Sequence, residues 1–169
     1  KYHDEEWGVP THDDRELFEL LVLESFQAGL AWITILKKRE NFREAFDNFD
    51  VEKVAAYDEK KIEELRNNAG IIRHKGKINA AINNAKIFIE IQKEYGSFSK
   101  YIWHFTEGQI LIDSKENYLT NSPLSDKIAK DLKKRGMKFV GTTIIYSYLE
   151  SIGVINNHIH ECFRYEELK

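Results

Sequence analysis

Between Leu23 and Trp32 the chain reads Leu-Glu-Ser-Phe-Gln-Ala-Gly-Leu-Ala-Trp, an acid set into an apolar run with an aromatic residue just past a glycine. Counted from Asp13, which can cap a helix with Glu16 three residues on, Leu17, Leu20, Leu21, Glu24 and Ala28 share one side. Glu24 is therefore expected to face the core. A carboxylate buried without a partner is costly, so it either binds internal donors or is held for a ligand. Trp32, eight residues further on, favours the ligand. A flat ring beside a hydrogen-bond acceptor suits a planar heterocycle with an exocyclic amino group. The competing reading is a glutamate paired to backbone or to an arginine within the fold.

A second group of residues lies between Lys130 and Gly153. A helix ending at Lys133-Lys134-Arg135 meets Gly136, then the short apolar turn Met137-Lys138-Phe139-Val140, and Gly141-Thr142-Thr143 opens a helix through Ser151. Two glycines bracketing a hydrophobic pair before a helix start suggest a helix-hairpin-helix. There, free backbone N–H groups of the turn and of the second helix cradle a DNA phosphate while the apolar pair anchors the hairpin. A tight turn between antiparallel helices is the plain alternative. The third group is split between the chain ends: His158 and Cys162 are spaced to share a helix face, and His3 lies near the start. Imidazole with a soft thiolate suits zinc, and His160 is a poorer spare ligand.

The elements that position these residues read as helices almost throughout. Asp13 to about Ala28, Ile33 to Phe46, Asp58 to Asn68 and Lys75 to Tyr95 are expected helices, the last carrying Ile78, Ala81, Ile82, Ala85, Phe88, Ile89 and Gln92 at helical spacing and ending at Gly96. Ser97 to about Phe105 is a short amphipathic piece, 107–121 a loop, and Ser122 caps a helix that begins with Pro123. The chain shows no internal repeat and no low-complexity stretch.

With 169 residues, 42% of them hydrophobic, the chain can bury a core as a single domain or two closely packed lobes. A single cysteine rules out an internal disulfide. No apolar run approaches the roughly 18 residues of a membrane helix, so no membrane partner is expected and the cytoplasm is the default compartment. A net charge of −3 argues against nucleic acid, but positive charge is gathered at Lys37-Lys38-Arg39, at Arg73-His74-Lys75-Gly76-Lys77, and at Lys133-Lys134-Arg135 with Lys138.

Several long motifs match a known family in order. Tyr2-His3-Asp4-Glu5-Glu6-Trp7-Gly8-Val9-Pro10, Leu23-Glu24 through Trp32 to Asn41, Gly70-Ile71-Ile72-Arg73-His74, and Lys133-Lys134-Arg135-Gly136 through Gly141-Thr142-Thr143 resemble the bacterial 3-methyladenine DNA glycosylase I family over nearly the whole chain. The resemblance implies an all-α fold of the helix-hairpin-helix glycosylase superfamily. It implies one unit over residues 1–169, built of two packed lobes, with the hairpin at about 124–152 and a terminal zinc lobe from 1–12 and 153–169. Residue by residue, the base-reading glutamate matches Glu24, the tyrosine and stacking tryptophan match Tyr2 and Trp32, and further pocket residues match Trp7 and Ser147. Gly29 and Leu30 match the pair that enters the gap left by a flipped base. Lys134, Gly136, Lys138, Gly141 and Thr142 fall in the hairpin that meets DNA. His3, His158 and Cys162 match three ligands of a structural zinc ion, and the family's fourth ligand, a cysteine, falls before residue 1.

The implied activity is monofunctional excision of N3-methyladenine from alkylated double-stranded DNA by a monomer, with free 3-methyladenine as product. N3 methylation makes the base a cation and a good leaving group, so little push is needed. No Asp occurs from Thr142 to Cys162 to activate water, and the residue after Val140-Gly141-Thr142 is Thr143 rather than a Schiff-base lysine. Glu24 is then the catalytic residue, stabilising the stacked cation. Two other classes compete: a non-catalytic helix-hairpin-helix DNA-binding module, which needs no Glu24 beside Trp32, and a purine-binding protein, which needs no hairpin.

Overall fold

The structure, a computed structural model, describes residues 10–27, 30–112 and 121–156. Helix α1 (Asp14–Gln27) starts where the sequence predicts, with the Asp13 carboxylate accepting from the Glu16 N–H at 3.0 Å. It is followed by α2 (Trp32–Ala45), a single turn over Asp47–Phe49, α3 (Val51–Ala55) and α4 (Glu59–Arg66). The long α5 (Lys75–Tyr95) ends on Gly96 at φ 91°, a left-handed cap for which glycine has no steric penalty. Then come α6 (Phe98–His104), α7 (Pro123–Lys134) with its Ser122 capping box, and α8 (Thr142–Ser151).

Two features lie outside the helical expectation. The stretch read as a loop contains β1 (Leu111–Ile112), which pairs in parallel with β2 (Ile155–Asn156) in the register Leu111 to Ile155 and Ile112 to Asn156. Short α3 was not expected, because five residues are too few to show a period; its signal is Asp50, whose carboxylate accepts from the N–H groups of Glu52 and Lys53. No helix among the described residues is long and apolar enough to cross a membrane.

One continuous core, from Leu17 to Ile155, is shared by the helices of both expected lobes. Through it runs a chain of ring contacts: Phe26 to Phe46 at 6.0 Å between centroids, Phe46 to Phe49 at 5.8 Å, Phe49 to Phe18 at 6.2 Å, Phe18 to Phe88 at 5.3 Å and Phe88 to Phe98 at 4.2 Å. Polar ties fix the helices around it. Asp14 accepts from Gln92 Nε2 and from the N–H groups of Phe98 and Ser99, joining α1 to α5 and to the start of α6. The Tyr148 hydroxyl donates to the Leu17 carbonyl at 2.8 Å and joins α8 to α1.

Helix α1 is buried all round from Leu17 to Phe26, so it takes a second acid inside that the one-sided reading did not include. Glu19 accepts from Arg39 at 2.7 Å, Arg15 at 2.8 Å and Arg43 at 2.9 Å. Burial opposes its ionisation, but Arg43, Arg39 and Arg15 together outweigh it and hold the carboxyl below its ordinary range. Glu19→Gln is expected to destabilise the fold by about 3 kcal/mol, the lower end for breaking a buried ion pair, because its arginines keep part of their hydration. Urea unfolding at pH 7 checks this. A midpoint unchanged from the parent protein would show that the cluster contributes nothing.

Candidate functional site

Helix α1 brings Glu24 inside and α8 meets it there. Glu24 is only 2% exposed, and its carboxyl group is hydrogen bonded to Ser147. Its Oε2 has no hydrogen-bond partner among the described residues. Desolvation, opposed by the Ser147 hydrogen bond and reinforced by the nearby negative charge of Glu150, pushes its pKa up to about 8. The two acids of α1 thus differ in kind. The arginine-paired reading weighed for Glu24 describes Glu19 instead, and Glu24 is left with an unspent acceptor.

Trp32 opens α2 and packs, partly buried, against the hydrophobic core. Between the two helices Leu30 is turned outward, 37% exposed, in a loop fastened by Gln27: the Leu30 N–H donates to the Gln27 carbonyl at 2.7 Å and Gln27 Nε2 donates to the Leu30 carbonyl at 2.5 Å. Tyr2, Trp7, Gly29 and the zinc-ligand candidates His3, His158 and Cys162 lie outside the described residues. Among the described residues no group of three or more His, Cys, Asp or Glu is arranged to hold a metal ion. Two clefts of about 540 and 670 Å³ border Arg15, Asp47, Asn48 and Lys53; the first mixes charged residues with Phe49, Val51 and Phe88, the second is mostly charged, and neither includes Glu24.

Helices α7 and α8 are joined by a short turn over residues 135–141 and are tied at their starts. The sequence reading left open which apolar residues anchor the turn. Met137 and Val140 are buried and act as the anchors, whereas Phe139 is 38% exposed. Gly136 sits at φ 105°, where glycine is unstrained. Gly141 is the N-cap of α8 without a side-chain cap, so the first N–H groups of α8 have no side-chain acceptor of their own. The Thr142 hydroxyl is engaged with Ser125 Oγ at 2.7 Å, fastening the two helix starts, and only its backbone remains to meet an anion.

Each of the three basic clusters loses a member to the interior. Arg39 binds Glu19, and buried Lys77 donates to the Phe26 carbonyl at 2.9 Å near the end of α1. Arg135 binds Glu94 at 2.9 Å and Asp131 at 2.9 Å and lies over the rings of Tyr95 and Tyr101. Lys37, Arg73, Lys75, Lys133, Lys134 and Lys138 stay exposed. Sequence reasoning missed Ser25, Asn84 and Glu150. Asn84 was within reach, since it falls on the α5 face of Ala81 and Phe88, as Glu24 does on the face of Leu20 and Leu21.

The described residues form a helical fold with a buried acid, Glu24, whose Oε2 has no hydrogen-bond partner among them. Comparison with known proteins is specific. The sequence pattern of the family described as methyladenine glycosylase matches residues 1–165. The chain is 47% identical to DNA-3-methyladenine glycosylase 1 of Escherichia coli (strain K12), over 97% of this chain and 89% of that one. It superposes on a crystal structure of 3-methyladenine DNA glycosylase I with a TM-score of 0.91 at 50% identity, covering 96% of this chain and 91% of the other. It also superposes on a variant of 3-methyladenine DNA glycosylase I in complex with 3-methyladenine, with a TM-score of 0.92 at 39% identity, covering 96% and 89%. This chain belongs to the methyladenine glycosylase family.

The state of Glu24 has a measurable consequence. The folded protein keeps a proton on Glu24 up to about pH 8, whereas the unfolded chain releases it near the ordinary carboxyl value of 4.5. Between those values the native state binds more protons than the unfolded one, so this group makes stability fall as pH rises, and the fall ends above about pH 8. Glu24→Gln is expected to remove that slope and to be the more stable protein at pH 8. Thermal unfolding of both proteins between pH 5 and about 9 checks this; parallel curves would mean that Glu24 is ionised in the folded state.

Proposed function

We propose that this chain excises 3-methyladenine from alkylated duplex DNA by hydrolysis, as a monofunctional glycosylase acting in base excision repair. The observation that carries the reading is the buried, half-satisfied Glu24 in a chain of this family, one of whose solved relatives holds 3-methyladenine. In this reading the hairpin docks on the strand through the backbone of Gly136, Gly141 and Thr142 and through Lys134 and Lys138. Gly29 and Leu30 enter the gap in the duplex. The flipped base stacks on Trp32 and Tyr2, with Trp7 and Ser147 completing the pocket. Flipping costs a few kcal/mol, and stacking returns about 1 to 3 kcal/mol per base.

Selectivity follows from charge. A carboxyl group held neutral by burial ionises when a cation is placed beside it, so the N3-methylated base gains an ion pair in a dry site. Neutral adenine offers no compensation for that ionisation and gains less from the aromatic faces. The C1′–N9 bond of the methylated nucleotide breaks with its electron pair going to the base, which neutralises the base's positive charge; water adds to C1′ and gives up a proton to solvent. Glu24 acts before that step, by binding and orienting the cation. Ser147 holds the carboxyl group in place.

The same reading assigns His3, His158 and Cys162 to a structural zinc ion that joins the chain ends. Its support is the ligand spacing, together with the hydrogen bond from the Thr11 N–H to the Ile152 carbonyl at 2.9 Å, which draws the segments leading to both sets of ligands together. The protein is taken to work as a cytoplasmic monomer.

Incubation with methylated duplex DNA, followed by chromatography of released bases, is expected to yield 3-methyladenine. Glu24→Gln should release it about tenfold more slowly, the worth of one hydrogen bond to a charged group. The product strand should stay intact before alkali treatment, with no borohydride-trapped adduct, because no lysine lies between Thr142 and Cys162. Absence of released base would favour the non-catalytic DNA-binding reading, and nicking before alkali would overturn the monofunctional one.

A further inference from the structure

The turn between α7 and α8 takes its shape from side chains that belong to other helices. Asn84 of α5, only 3% exposed, donates from Nδ2 to the Lys138 carbonyl at 2.8 Å and accepts at Oδ1 from the Lys138 N–H at 2.9 Å. One amide thus pairs both backbone groups of a single turn residue. Its neighbour Asn83 donates to the Gly136 carbonyl at 2.8 Å. From α1, Ser25 Oγ lies 3.3 Å from the Phe139 carbonyl while also bonding the Leu21 carbonyl at 3.0 Å.

These ties hold a backbone that does not favour its own conformation. Phe139 sits at φ 56°, a left-handed geometry that is unfavourable for a bulky residue by roughly 1 to 2 kcal/mol. Its ring is 38% exposed and meets His74 edge-on at 6.3 Å between centroids, so burial supplies only part of the compensation. Asn84 gains nothing from the apolar face it occupies, and its amide is suited to the task in both directions: an aspartate would set a second acceptor against the Lys138 carbonyl, and an aliphatic residue would offer neither bond. Because Ser25 adjoins Glu24, the turn is fixed in the same frame as the buried carboxyl group.

We propose that Asn84 is a positioning residue for DNA engagement: it holds the hairpin turn so that backbone N–H groups meet phosphate at a set distance from Glu24. The proposal rests on the function given above. It separates two affinities that a merely structural residue would lower together. With Asn84→Ala, KM for methylated duplex is expected to rise about tenfold, while kcat at saturating DNA and affinity for free 3-methyladenine stay within about twofold of the parent. Asn83→Ala, at a half-buried position, should raise KM about threefold with the same separation and tests the clamp should Asn84→Ala not fold. An unchanged KM in the folded variants, or loss of free-base binding in step with DNA, would overturn the proposal. If the parent protein releases no base, the activity reading fails on its own, and binding of the variants to a fluorescent duplex still tests the clamp by the same ratios.

Discussion

A carboxylate leaves water only when something takes the place of water, and α1 meets that demand in two opposite ways. Glu19 is surrounded by Arg15, Arg39 and Arg43 and stays ionised, welding α1 to α2. Glu24, little more than one turn on, is given one hydroxyl, from Ser147, and a like charge nearby in Glu150. The first arrangement stabilises the fold. The second leaves Oε2 without a partner among the described residues, a demand that a ligand bringing donors or positive charge would meet.

The rest of the architecture keeps that demand in place. A neutral carboxyl group in a loose core would recruit water or turn outward, so its helix has to be immobile. The ring contacts from Phe26 to Phe98, the Tyr148 bond to the Leu17 carbonyl and the Lys77 bond to the Phe26 carbonyl hold α1 along its length. The same helix reaches the hairpin through Ser25. Glu24 and the turn between α7 and α8 are therefore held in one frame, and in the proposed function a nucleotide drawn out of a duplex would meet an acid at a set distance from the backbone contacts.

Positive charge is handled with similar economy. The chain is acidic overall, yet exposed lysines remain at each cluster while Arg39, Lys77 and Arg135 turn inward to hold helices together. What a linear reading counts as one basic patch is partly surface and partly scaffold. The difference is set by which carboxylates and carbonyls lie across the helix, and these come from distant parts of the chain.

Much of this was legible in the residue order. Helical spacing with its caps located the main helices, and the position of Glu24 among leucines was enough to place an acid in the core, because it shares a face with Leu17, Leu20 and Leu21, all of which are buried. Gly136 marked the turn after α7, since its φ of 105° favours a residue without a side chain, whereas Gly141 at φ −64° needs no such freedom. Local pattern could not say that α1 is buried on every side, that Glu19 rather than Glu24 would find arginines, or that Phe139 would face solvent while Met137 and Val140 anchored the turn. It did not reveal Asn84 as the clamp, nor the pairing of Leu111–Ile112 with Ile155–Asn156. Spacing along a chain fixes which residues share a face; whether a buried polar group is satisfied depends on partners tens of residues away, and only the packed structure brings those partners within hydrogen-bonding distance.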